Sequence, residues 1–246
     1  MKRVDLNNIC LNYPLVGMAG RSLKNRVLSA ATGGFITPGD MPEVCALQNI
    51  SFSLNDGDRL GLVGHNGAGK STLLKILAGI YQPTSGNIVI SNNVVSTLNL
   101  SIGIEPEATG VENIISRGLL LGMKRDEINK KMPEIIDFTE LGKFIDMPVR
   151  IYSSGMMTRL IFATVSSMDA DILLMDEVIG TGDASFLAKA SKRLNEFIER
   201  SKILVLASHN EETIRNFCNK ALLLDRGNLK YFGDVNEVFT IYKDFK

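Results

Sequence analysis

Apolar residues recur along this chain in two rhythms, and each rhythm predicts a different element. Ile172-Leu173-Leu174-Met175, Ile203-Leu204-Val205-Leu206-Ala207 and Ala221-Leu222-Leu223-Leu224 are short continuous apolar runs. Runs without alternation predict buried strands of a parallel sheet covered on both faces. Ile50, Phe52 and Leu54 alternate with serines, which predicts a strand with one buried face. Asn55-Asp56-Gly57-Asp58 reads as a turn that feeds a further strand, Leu60-Gly61-Leu62-Val63. Asn87-Ile88-Val89-Ile90 and Val94-Val95-Ser96-Thr97-Leu98 predict two more. Helical spacing takes over at Leu73, Leu74, Ile76, Leu77 and Ile80. It returns in three segments, 111–123, 124–141 and 156–168, with no convincing strand among them. The stretch from about 110 to 168 therefore reads as a helical insertion between strand-forming regions.

Bulk composition narrows the class. A chain of 246 residues can bury a large core, as one α/β domain or a core with a subdomain. Its 27 basic and 27 acidic residues balance, so no global electrostatic case for nucleic acid exists. Cys10, Cys45 and Cys218 follow no metal or redox spacing and read as buried or incidental thiols in a reducing compartment. The start, Met1-Lys2-Arg3-Val4-Asp5, carries no apolar signal core, and no run of eighteen apolar residues occurs. A soluble cytoplasmic protein is the expectation. Residues 14–45 are rich in glycine and proline around a basic amphipathic stretch, Ser22-Leu23-Lys24-Asn25-Arg26-Val27-Leu28. They fit a surface excursion between two strands, or a contact element for a membrane partner or lipid surface.

The chemistry begins at Gly64-His65-Asn66-Gly67-Ala68-Gly69-Lys70-Ser71-Thr72, which fits the phosphate-binding loop pattern between a strand and a helix. Glycines let backbone N–H groups turn inward around a phosphate, and the helix N-terminus adds partial positive charge. Lys70 reaches the β- and γ-phosphates of a nucleoside triphosphate and the Ser71 hydroxyl ligates Mg²⁺. Downstream, Ile172-Leu173-Leu174-Met175-Asp176-Glu177 is an apolar strand ending in two acids. Such a strand delivers Asp176 to the sheet edge where the metal is held, and Glu177 can act as base on the attacking water. Ser153, in Tyr152-Ser153-Ser154-Gly155-Met156, is an N-cap, and Gly155 admits close backbone approach to a ligand. His209 ends the run 203–207, where an imidazole can donate to a γ-phosphate or to the water.

Taken together, these residues resemble the nucleotide-binding subunit of ABC transporters, over essentially residues 46–233. The segment Gly103-Ile104-Glu105-Pro106-Glu107-Ala108-Thr109-Gly110-Val111-Glu112-Asn113, with Tyr-Ser-Ser-Gly-Met and the excursion at 14–45, is similar to exporters of O-antigen, capsule and teichoic acid. The resemblance implies an α/β P-loop NTPase fold, one ABC ATPase domain over 1–246 with a RecA-like core, an antiparallel β subdomain and a helical subdomain. It implies ATP and Mg²⁺ as ligands, hydrolysis, a second copy in an ATP-sandwich dimer and a separate integral membrane permease. The place of action would be the cytoplasmic face of the bacterial inner membrane, and the chain would resemble the family's short form. By the same resemblance Ser153, Ser154 and Gly155 contact the γ-phosphate bound to the opposite subunit. Asp183 lies in the D-loop, His209 is the switch histidine and Tyr13 stacks on adenine. Two departures stand out: Ser154 and Met156 replace a glycine and a glutamine of the commonest signature, and Glu105 is the nearest polar residue for the absent Q-loop glutamine. A soluble ABC ATPase and a GTPase are the competing classes. The former usually needs tandem modules or long coiled coils, and Leu222 in Asn219-Lys220-Ala221-Leu222 replaces the acid a guanine reader requires.

Overall fold

The computed structural model describes residues 4–14, 36–37, 43–91, 93–98, 102–176 and 184–244. Its strands are β1 (Val4–Pro14), β2 (Ile36–Thr37), β3 (Glu43–Leu54), β4 (Arg59–Val63), β5 (Ser85–Ile90), β6 (Val94–Ser96), β7 (Ile172–Asp176), β8 (Ile203–Ala207), β9 (Lys220–Asp225) and β10 (Asn228–Asp234). The helices are α1 (Lys70–Leu77), α2 (Gly110–Leu120), α3 (Arg125–Thr139), α4 (Ser154–Ser166), α5 (Ala184–Arg200), α6 (Glu211–Phe217) and α7 (Val235–Asp244). The chain falls into two compact units: Met1–Asn92, Leu174–Glu177 and Ile203–Lys246 form the first, and Asn93–Leu173 with Val178–Lys202 the second.

Strands of the first unit run in the order β5-β1-β3-β10-β9-β4-β8, with β2 on β3. The continuous apolar runs behave as predicted, since β4 pairs parallel to both β8 and β9. Their residues are buried on both faces: Leu60, Leu62, Ile203, Val205, Leu222 and Leu224 show no exposed surface. The sheet is nevertheless mixed. β1 pairs antiparallel with β3 and β5, and β9 with β10. Ile50, Phe52 and Leu54 are the buried residues at the end of β3, as their alternation requires. The turn before β4 closes as predicted, with Asp58 N–H donating to Asn55 O at 3.1 Å.

One apolar position departs from expectation. Leu73, Leu74, Ile76 and Leu77 are buried on α1, but Ile80 lies beyond the helix and is 47% exposed. Gly79, at φ 70, ends the helix with its N–H on Ile76 O, so the helical register never reaches Ile80.

The second unit holds helices where the spacing placed them, with shifted ends. α2 starts on a capping box: Thr109 Oγ1 accepts from Glu112 N–H, and Glu112 Oε2 accepts from Thr109 N–H at 2.8 Å. It stops at Leu120, ahead of Gly122 at φ 93, and α3 stops at Thr139, ahead of Glu140 at φ 55. Ile114, Ile128, Ile135, Leu160, Phe162, Phe186 and Phe197 form the apolar interior. Arg159 stacks over Phe186 at 4.5 Å, while Lys189 and Arg193 cover Phe138 at 4.9 and 5.0 Å. The charged groups of these long side chains thus lie over the faces of the aromatic cluster. No helix among the described residues is long and apolar enough to cross a membrane.

Candidate nucleotide-binding site

The loop between β4 and α1 is built on backbone that only glycine adopts without strain. Gly64, Gly67 and Gly69 stand at φ 152, 80 and 110. A Cβ on Gly64 would lie 2.3 Å from Leu224 O, and one on Gly69 would lie 2.9 Å from a Leu47 methyl. The loop wraps the Lys70 side chain, whose Nζ donates to Gly64 O at 2.6 Å and His65 O at 3.0 Å. Lys70 is 8% exposed, so its charge is held where the loop carbonyls converge. No side chain caps the start of α1, which leaves its first N–H groups for an anion.

Ser71, in the first turn of α1, donates its hydroxyl to Asp176 Oδ2 at 2.9 Å. Asp176 is the exposed last residue of β7, and with Leu174 and Met175 it belongs to the first unit. Two residues far apart in sequence thus meet as a pair of oxygen donors. His209 is exposed just after β8, on a turn where Asn210 caps α6 by accepting from Thr213 N–H at 3.2 Å. A cavity of about 430 Å³ gathers this chemistry. Loop residues Asn66, Gly67, Ala68, Gly69, Lys70, Ser71 and Thr72 form one wall, and Asp176, His209 and Tyr13 contribute the others. Tyr13 also packs edge-on against Tyr81, with ring centroids 5.6 Å apart.

Other sequence candidates lie elsewhere. His65 does not line the cavity; its ring is bonded to Asp225 and the Asn66 carbonyl. Ser153 and Ser154 are exposed in the second unit, where Ser153 caps α4 by accepting from Met156 N–H at 3.2 Å, as the sequence predicted. Gly155 sits in the first turn of α4, and a Cβ there would meet only Ser153 Oγ, at 3.9 Å. Glu105 is also exposed in that unit, its backbone N–H held by Asn113 Oδ1 at 2.8 Å. Glu177, Asp183 and most of the 14–45 segment lie outside the described residues. Sequence reasoning missed Val44, Cys45, Ala46 and Gly227, all of which line the cavity. Asp225-Arg226-Gly227-Asn228, between an apolar run and two aromatic residues, carries the signal of a tight hairpin turn, and that signal could have pointed to Gly227.

The ABC transporter family profile matches residues 47–180, more than half of the chain and both halves of the Ser71–Asp176 pair. The chain belongs to the ATP-binding subunits of ABC transporters. This ABC ATPase is 46% identical over 229 residues to the O-antigen export system ATP-binding protein RfbE of Yersinia enterocolitica, covering 92% of this chain and 96% of that one. It is 37% identical to the O-antigen export system ATP-binding protein RfbB of Klebsiella pneumoniae, over 98% of this chain and 97% of that one. The teichoic acids export ATP-binding protein TagH of Staphylococcus haemolyticus is 39% identical, over 98% and 88% respectively. Its fold is shared with a solved ATP-binding subunit of an ABC transporter, at a TM-score of 0.69 and 18% identity over 98% of this chain and 93% of that one. The dimeric ATP-binding cassette MJ0796 bound to ADP and Pi aligns at a TM-score of 0.67 and 19% identity, over 94% of this chain and 98% of that one. As a member of this ATPase family, the chain binds nucleotide and hydrolyses ATP.

Proposed function

We propose that this ABC ATPase powers export of a lipid-linked polysaccharide, of O-antigen or capsule type, through a separate permease at the cytoplasmic face of the bacterial inner membrane. The observation that carries this reading is identity of 46% along nearly the full length of an O-antigen export ATPase. Relatives named for teichoic acid export, also a surface polymer, support the cargo class.

Within the site, phosphoryl transfer to water asks for placement and charge neutralisation more than covalent chemistry. Lys70 neutralises phosphate charge, and the uncapped N–H groups of α1 bind the phosphate oxygens. Ser71 and Asp176 would hold Mg²⁺: a hydroxyl and a carboxylate already within 2.9 Å are hard oxygen donors of the kind that ion takes. When bound, the metal would supply further neutralisation of phosphate charge. Tyr13 offers a face to the adenine, Glu177 accepts a proton from the attacking water, and His209 donates to the γ-phosphate. Ser153, Ser154 and Gly155 serve the nucleotide of a second copy, so that two chains close on two ATP molecules.

Export in cells tests the reading. A strain whose only copy carries Lys70→Ala should lose its surface polysaccharide while retaining the precursor inside, and pull-down from solubilised membranes should recover a multi-spanning permease. Normal surface polymer in that strain would rule the proposal out. Recovery of ribosomal or DNA-repair partners instead would favour a soluble ABC ATPase.

A further inference from the structure

The phosphate-binding loop is gripped from behind by the β9–β10 hairpin, through a residue with no counterpart in the loop pattern. Asp225, the last residue of β9, lies with Oδ1 3.1 Å from His65 Nε2. The other ring nitrogen of His65, Nδ1, lies 2.6 Å from Asn66 O. Both nitrogens therefore face oxygen atoms, and the Asp225 carboxylate accepts from the ring when Nε2 carries the proton. Two further contacts fix the same hairpin against the loop, and one ties it to β3. Gly227 N–H donates to Ala68 O at 2.9 Å, and Gln48 N–H on β3 donates to Gly227 O at 2.8 Å. Gly64, at the start of the loop, lies so close to Leu224 O that a Cβ would fall 2.3 Å from it.

What the hairpin holds is the cradle of the lysine. The carbonyl oxygens that accept from Lys70 Nζ belong to Gly64 and His65, the two residues pressed against Leu224 and Asp225. We propose that Asp225 is a positioning residue for ATP binding: through His65 it fixes the loop conformation that aims Lys70 and the loop N–H groups at the triphosphate. Asp225 touches no substrate; it acts at one remove. The inference rests on the reading of the 64–72 loop as the triphosphate site. It goes beyond that reading by adding a residue far downstream and by giving His65 a structural hydrogen-bonding role in place of a ligand contact.

The effect belongs in binding, since a loosened loop must be re-ordered by ATP before chemistry begins. A charge-assisted hydrogen bond with both partners partly exposed corresponds to a roughly three- to tenfold change in affinity. The test measures Kd of the purified full chain for a fluorescent ATP analogue, together with KM and kcat. Asp225→Ala should raise Kd and KM by roughly three- to tenfold with kcat within about twofold of wild type. Asp225→Asn retains an acceptor for the ring N–H and should recover most of the affinity. The double variant His65→Ala/Asp225→Ala should bind no more weakly than His65→Ala, because either change alone already removes the His65–Asp225 contact through which Asp225 acts on the loop. Lys70→Ala separates the two levels. If it loses nucleotide while Asp225→Ala binds like wild type, or the double variant multiplies the two single effects, the positioning role is overturned alone. If Lys70→Ala binds nucleotide like wild type, the triphosphate site and the positioning role fall together.

Discussion

At the scale of single residues, Lys70, Ser71 and Asp176 show how chemistry that looks diffuse in sequence condenses in space. Ser71 and Asp176 are 105 positions apart and share a hydrogen bond of 2.9 Å. Glu177 follows Asp176 directly in sequence, and the role of base proposed for it gives a sharp prediction. Glu177→Gln should leave ATP binding intact and lower kcat by about 10²–10⁴-fold, the usual scale for removing a general base; single-turnover hydrolysis checks it. The cysteines provide a second prediction. Burial pushes the Cys218 thiol up to about 12, with the Arg59 charge opposing the shift, so the neutral thiol persists through the physiological range. Native protein should therefore expose two fast-reacting thiols, Cys10 and Cys45, and one that reacts only on unfolding. Cys45 lines the cavity, so ATP should slow its labelling selectively.

At the scale of elements, local grammar was legible where it was chemical and faint where it was not. The Ser153 cap, the turn at 55–58 and the three buried strand runs are readable because capping, turn formation and double-sided burial each impose residue types at fixed offsets. β10 was not predicted: Asn228, Lys230, Gly233 and Asp234 interrupt its apolar pattern, and its pairing with β9 comes from a two-residue turn at Arg226 and Gly227. α6 was also unpredicted, being seven residues long, and tertiary packing seats it. Gly61 on β4 leaves room for the buried Ile214 of α6; a Cβ there would lie 2.4 Å from Ile214 Cγ2. Gly61→Ala should therefore destabilise the fold by about 1–3 kcal/mol through overpacking, as read from urea unfolding. Pairing it with Ile214→Val should restore part of the loss. The α2 capping box is a second test at this scale. Thr109→Ala should cost about 1 kcal/mol of stability. Hydrogen bonds from the Thr109 backbone and side chain hold the Glu112 carboxyl below its usual value. A carboxyl lowered in the folded state stabilises fully above the ordinary carboxylate pKa and loses that contribution as pH falls through the lowered value. The gap between wild type and Thr109→Ala should accordingly narrow on acidification below the carboxylate range.

For the whole molecule, the proposed site is one that a second copy would complete, and Ser153 is the residue that tests it. Its hydroxyl caps α4 and its side chain is otherwise exposed, so a larger side chain costs the cap but meets no packed core. Ser153→Arg should leave ATP binding to the isolated chain at wild-type affinity while abolishing hydrolysis and ATP-dependent dimerisation, followed by equilibrium binding and size-exclusion light scattering. Hydrolysis at the wild-type rate would remove the signature from the site.

The sequence by itself determined the elements whose causes are local: the glycine-built loop before α1, the apolar strands β4, β7, β8 and β9, the Ser153 cap and the positions of the three predicted helices. Those follow from φ freedom, side-chain periodicity and capping, which act within a few residues. Only the tertiary structure decided which of them meet. It set the strand order, put Tyr13 and Cys45 on the wall of the loop's cavity, and brought Asp225 to His65 across 160 positions. Strand pairing is chosen by the closure of the whole sheet, and no local pattern in this chain encodes which edge a given strand will find.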